Sequence, residues 1–191
     1  IVRRELAAGR PLEREAWPAT ILALSDDATH REDRSAAVGL ARHRSAAGWQ
    51  DPEVLALYHH LAVVGAWWDL VDEIASHLVG GALAGHREWV TATMRDWSVA
   101  DDPWVRRTSI LCQLRHGPDT DTALLHDVIE ASVEDRSFWL RKAIGWALRQ
   151  YARTVQQLQD ESDLLLNFQY SLPAEVIAGF RRSALADIDP G

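Results

Sequence analysis

The chain has a single cysteine, Cys112, among 191 residues, so no internal disulfide can form and the fold must rest on its core. A lone thiol also suits a reducing compartment, and a cytoplasmic protein is expected. No run of 18 apolar residues occurs, so no transmembrane helix is expected. The opening Ile1-Val-Arg-Arg-Glu-Leu6 begins without Met and lacks the pattern of a signal peptide. Strand-like alternation is missing along the chain, which excludes a sheet protein and predicts an all-α fold. Ligand spacing for a metal is missing too. His59 and His60 are adjacent, point about 100° apart on a helix and cannot both ligate one ion. Lysine is scarce: the 20 basic residues are 19 Arg and one Lys, Lys142.

Against these scarcities stand nine Trp and a net charge of −8. GC-rich codons explain an arginine bias, but they do not place the tryptophans. The arginine fork also suits bidentate contact with phosphate. The acidic balance argues against a protein that coats nucleic acid unspecifically, since that binding needs basic surface. It leaves open a local basic groove on an acidic body. At 191 residues, 47 % hydrophobic, the chain can bury one substantial core, and residues 1–191 read as a single domain.

The organising stretch is Phe138-Trp-Leu-Arg-Lys-Ala-Ile-Gly-Trp-Ala-Leu-Arg-Gln-Tyr-Ala-Arg153, a helix of about four turns with Asp135 before it at a cap position. Leu140, Ile144, Ala147, Leu148 and Tyr151 share one arc, the core face. Lys142, Trp146, Arg149 and Arg153 lie opposite. A tryptophan inside a basic stripe either packs on a neighbouring helix or stands on a phosphate-facing surface.

Upstream, residues 30–47 read as one amphipathic helix, and Asp51-Pro52 opens another through Leu61. The next helix carries Val63, Trp67, Leu70, Val71, Ile74 and Leu78 on one arc and is expected to end at Gly80-Gly81. Trp67 is thus assigned to the core. Trp68 and Asp72, one turn apart, pair on another face. Pro103 begins a helix to His116 in which Arg107 projects with Leu111 and Leu114. A half-buried guanidinium needs an anion, either a structural carboxylate or a phosphate.

Trp104-Val-Arg-Arg and Trp139-Leu-Arg-Lys open equivalent helices 35 residues apart. A period in the mid-thirties with two helices per unit is the mark of an α-solenoid. Such a stack lays its second helices along a concave face, which would gather Trp68, Asp72, Arg107 and Trp146. Capping helices are expected over 160–188.

The Phe138–Tyr151 segment is very similar to the signature of the DNA alkylation repair enzymes of the AlkD type. Trp67-Trp-Asp-Leu-Val-Asp72 and Trp104-Val-Arg-Arg-Thr108 resemble two further motifs of that family, in order and spacing. The likeness is strongest over residues 50–154. It implies a right-handed solenoid of HEAT-like repeats, monomeric and needing no cofactor, that acts as a DNA glycosylase. The implied substrate is double-stranded DNA carrying N3- or N7-alkylated purines. By motif, the resemblance implies Asp72 as catalytic carboxylate, Trp68 and Trp146 as cleft tryptophans, and Arg107 as a backbone contact. Lys142, Arg149 and Arg153 would converge with Arg107 to make the cleft locally positive. Two positions depart from the family pattern: Asp33 replaces an aromatic, and Val155-Gln156 replaces an Asp/Asn-Pro pair. The competing reading is a helical-repeat module without catalysis that binds damaged or branched DNA, or a protein.

Overall fold

The computed structural model describes residues 13–161, and every described element is helical. The helix expected around Pro173–Leu185 lies outside the described residues, as do the first 12 residues. Among the described residues no helix is long and apolar enough to cross a membrane.

The helices come in successive pairs. α1 (Trp17–Asp26) is followed by α2 (Arg31–Ala41), and α3 (Val54–Gly65) by α4 (Trp68–Glu73). α4 continues through a π-helical stretch, Ile74–Val79, into α5 (Gly80–Gly85). α6 (Arg87–Ser98) then pairs with α7 (Pro103–Leu111), and α8 (Thr122–Glu130) with α9 (Phe138–Glu161). The second members pack in series, α2 on α4, α4 on α7 and α7 on α9. α7 is the hub, touching α3, α4, the π stretch, α6, α8 and α9. Its start is well specified. Asp102 caps the helix by accepting from the Trp104 and Val105 amides, and Pro103 occupies the first helical position, where no amide is needed.

Cross-links recur at one repeat's distance. Arg31 pairs with Asp69, Arg42 with Glu73, Arg95 with Asp127, Arg106 with Asp135 and Arg107 with Asp72, while His116 meets the Gly80 carbonyl; these separations run from 29 to 38 residues. The Trp104 and Trp139 rings, 35 positions apart in the chain, also touch, with centroids 5.7 Å apart.

Three sequence expectations need correction. The helix read over 30–47 stops at Ala41, because His43 is extended and its ring accepts from the Ser45 amide, starting a separate 3-10 turn over Arg44–Trp49. The arc from Val63 to Leu78 does not belong to one helix. Ala66 takes a left-handed conformation at φ 34°, closing α3, and Trp67 becomes the extended residue before α4. Trp67 is therefore 45 % exposed, its ring against Trp139, rather than in the core. Finally, Gly80-Gly81 does not end the element. The buried apolar side chains there come in pairs four apart: Leu70 and Val71, Ile74 and Ala75, Leu78 and Val79, Ala82 and Leu83. An ideal α-helix drifts about 40° every four residues. The π stretch, whose bonds reach one residue further, absorbs that drift and keeps all four pairs inward.

Gly80 also has a packing reason to be glycine. A Cβ built there would lie 2.5 Å from the Cys112 main-chain carbonyl. The His116 ring sits beside this contact, its Nε2 hydrogen-bonded to the Gly80 carbonyl at 3.0 Å and its Nδ1 buried without a protein partner. Burial pushes the His116 imidazole below its ordinary value, and it does the same to His77, where the Arg42 charge adds to the effect.

Gly80→Ala should force the π stretch away from the end of α7 and destabilise the fold by about 1–3 kcal/mol, despite alanine's better helix propensity. Denaturant unfolding of both proteins tests this; equal midpoints would mean that the helices separate freely. The two depressed histidines also set a pH dependence. Both bind a proton less readily in the fold than in the unfolded chain, so the unfolded state takes up more protons once pH falls below the ordinary histidine value of 6.5. Stability should hold above that pH and decline below it, as folding free energies measured from pH 8 to pH 5 would reveal.

Candidate functional site

A cleft of about 700 Å³ runs across the second members of the helix pairs. α2 contributes Ser35, Val38 and Gly39, with Arg42 at its end. α4 and the π stretch contribute Trp68, Asp72, Glu73 and His77. Arg115 enters just beyond α7, and Trp146 and Gln150 come from α9.

Three of the residues singled out from the sequence meet here: Trp68, Asp72 and Trp146. Both tryptophans are large apolar groups left open, 44 % and 41 % exposed. They differ sharply from Trp17, which is 1 % exposed and donates its indole N–H to the Leu40 carbonyl. Asp72 stands one turn after Trp68 and is 7 % exposed.

Asp72 does not stand alone. Arg107 from α7 grips it bidentately, Nε to Oδ1 at 2.7 Å and Nη2 to Oδ2 at 2.9 Å. The remaining terminal nitrogen, Nη1, donates to the main-chain carbonyl of Trp139, at the start of α9. Arg107 is 4 % exposed and is not among the residues lining the cleft. The expectation that it lines the cleft is corrected accordingly: its guanidinium is turned onto the Asp72 carboxylate, one of the two kinds of anion open to it. Burial raises the Asp72 carboxyl above its ordinary value, and the Arg107 hydrogen bonds and charge pull it back down. Each Asp72 oxygen accepts one Arg107 N–H, which leaves lone pairs for a further donor.

The other expected cations lie elsewhere. Lys142 sits 5.4 Å from the centroid of the Phe138 ring. Lys142, Arg149 and Arg153 are exposed on α9, on the same side as Trp146, but none lines the cleft. The cleft's cations are instead Arg42 and Arg115, with the His77 imidazole beside them, set against Asp69, Asp72 and Glu73. Local positive charge from Arg107 and the α9 cations is thus not what the lining provides. A signal for the missed residues existed: Arg42 and His77 stand 35 apart, as do Arg115 and Gln150, so the repeat period projects them onto one surface.

The two departures from the family pattern have local explanations. Asp33 caps α2, accepting from the Thr29 and His30 amides at 3.2 and 3.0 Å. Val155-Gln156 contains no proline, and α9 runs straight through it to Glu161. Among the described residues, no three His, Cys, Asp or Glu side chains are grouped to hold a metal ion.

Known proteins resemble the chain both in sequence and in fold. The family described as DNA alkylation repair enzyme matches residues 2–161. A solved structure titled a predicted DNA alkylation repair enzyme from Enterococcus faecalis superposes with a TM-score of 0.71 at 25 % identity, covering 99 % of this chain and 83 % of that one. No curated protein matches the chain.

The buried pair predicts a large, asymmetric mutational effect. Arg107→Met leaves Asp72 without its partner and should cost about 3–5 kcal/mol, whereas Arg107→Met combined with Asp72→Leu should recover much of that loss. Urea unfolding of the two single variants and the double variant checks it. Strictly additive losses would mean that the two side chains are not coupled.

Proposed function

The chain belongs to the DNA alkylation repair enzyme family, and we propose that it is a DNA glycosylase hydrolysing the N-glycosidic bond of N3- and N7-alkylated purines in duplex DNA. The observation that carries this reading is the convergence of two open tryptophans and one carboxylate, Trp68, Trp146 and Asp72, on one cleft. The same reading takes residues 1–191 as one right-handed solenoid of HEAT-like repeats, acting as a monomer. Its support is the 29–38-residue spacing of the cross-links and a cleft built from second helices.

The chemistry fits these groups. An N7- or N3-alkylated purine is a cation and leaves readily, so a strong general acid is dispensable. What remains is to stabilise a sugar that becomes oxocarbenium-like and to position a water. Asp72 supplies the negative charge, and its free lone pairs can hold the water. Arg107 is a positioning residue that fixes the carboxylate plane without reaching substrate. The faces of Trp68 and Trp146 attract developing positive charge, by about 0.5–2 kcal/mol each. Lys142, Arg149 and Arg153 would contact the DNA backbone along α9, outside the cleft.

One observation favours a second reading, a repeat module that binds DNA without cutting it. The Asp72–Arg107 pair is closed and buried, which is also how a purely structural ion pair looks. Single-turnover base release from an N7-methylguanine duplex separates the two. Asp72→Asn should lower the rate by roughly two to three powers of ten, about 2.7–4 kcal/mol of lost transition-state stabilisation. Because Asn meets Arg107 less well, the assay belongs well below the variant's melting temperature, with helical content verified. Trp68→Ala, at an exposed position, should lower the rate without that complication. A wild-type rate in Asp72→Asn would leave the ion pair as structure only. Since the carboxylate acts ionised and its pKa is raised by burial, wild-type release should fall on acidification at a pH above the ordinary carboxylate range.

A further inference from the structure

With Arg107 sealed under Asp72, the cleft needs another group to meet a phosphate. We propose that Arg115, flanked by His77 and Arg42, is the phosphodiester-binding site of the cleft, an inference that rests on the reading of the protein as DNA-binding. The argument starts from the acids of α4 and their partners. Asp69 is bridged by Arg31, Asp72 by Arg107 and Glu73 by Arg42. Three guanidiniums are thereby matched to three carboxylates. Arg115 is left over: it is exposed, lines the cleft and meets no carboxylate within ion-pair distance among the described residues.

Its surroundings suit an anion. The His77 imidazole, lowered first by burial and then by the Arg42 charge, also feels Arg115, so both guanidiniums act on this end of the cleft. Glu73 opposes them, 2.8 Å from Arg42 and 3.8 Å from His77 Nε2. A phosphate oxygen entering between Arg115 and His77 would take the fork of Arg115 and an imidazole N–H. The Ser76 hydroxyl, which donates to the Asp72 carbonyl at 2.6 Å, lies on the same wall. Holding a backbone phosphate here would seat the strand along the π stretch. The sugar of a neighbouring nucleotide would then stand over Asp72, one turn away along the same helix. Recognition through the backbone also leaves the base unenclosed, consistent with an open cleft rather than a base pocket.

Fluorescence anisotropy of an undamaged duplex, titrated across a range of salt concentrations, tests the site independently of catalysis. Arg115→Gln should weaken binding several-fold at low salt and lower the slope of log affinity against log salt by about one. Arg115→Lys keeps the charge and should keep the slope. Glu73→Gln removes an opposing charge and should tighten binding. An unchanged slope in Arg115→Gln, or a wild type that binds no duplex, overturns the site. Base release measured on the same proteins tells the two readings apart. A wild type that excises while Arg115→Gln binds normally sinks this site alone. A slope that drops with no excision by any protein supports the site and sinks the glycosylase.

Discussion

The rest of the structure depends on one buried ion pair. Arg107 of α7 holds Asp72 of α4 with two hydrogen bonds and the first turn of α9 with a third. Three consecutive second helices are therefore joined through one guanidinium. Such a pair adds little net stability, since removing both charges from water costs about as much as their attraction returns. What it does contribute is geometry. A planar fork meeting a planar carboxylate allows one register and one orientation, and hydrophobic packing alone would tolerate several.

That constraint explains why a chemically useful carboxylate can sit nearly out of water. Asp72 lies between the apolar pairs that α4 and the π stretch send inward and the open tryptophans of the cleft. Burial by itself would favour the neutral acid. Arg107 counters this and keeps the carboxyl plane fixed. Arg107 is sealed behind Asp72, so under the proposal made above charge recognition falls to Arg115 and His77 on the cleft wall beside it.

The tryptophans show how one residue type serves separate purposes in one chain. Trp17 is core, with its indole N–H satisfied internally. Trp67, Trp104 and Trp139 cluster at the starts of α4, α7 and α9, the Trp139 ring lying 5.6 Å from that of Trp67 and 5.7 Å from that of Trp104. Trp68 and Trp146 line the cleft. Adjacent residues 67 and 68 differ because a helix boundary falls between them. Trp67 is still extended backbone, and Trp68 is the first helical residue.

The all-α class, the cap at Asp102-Pro103, the core stripe of α9 and the mid-thirties period were legible in the linear pattern, because each depends on neighbours within a few turns or on repetition. Trp68, Asp72 and Trp146 were legible through motif and spacing together. The left-handed turn at Ala66 was not, since nothing in Gly65-Ala66-Trp67 forbids a continuing helix and alanine rarely takes a positive φ. The π stretch was half legible: its apolar pairs recur every four residues, but a period of four fits an α-helix well enough to hide. The period set Asp72 on the same face as Arg107, 35 positions back, but their pairing was beyond the sequence. Periodicity could say that the guanidinium turns inward and must meet an anion, but only the stacking of one repeat on the next decided that the anion is Asp72, 35 residues away.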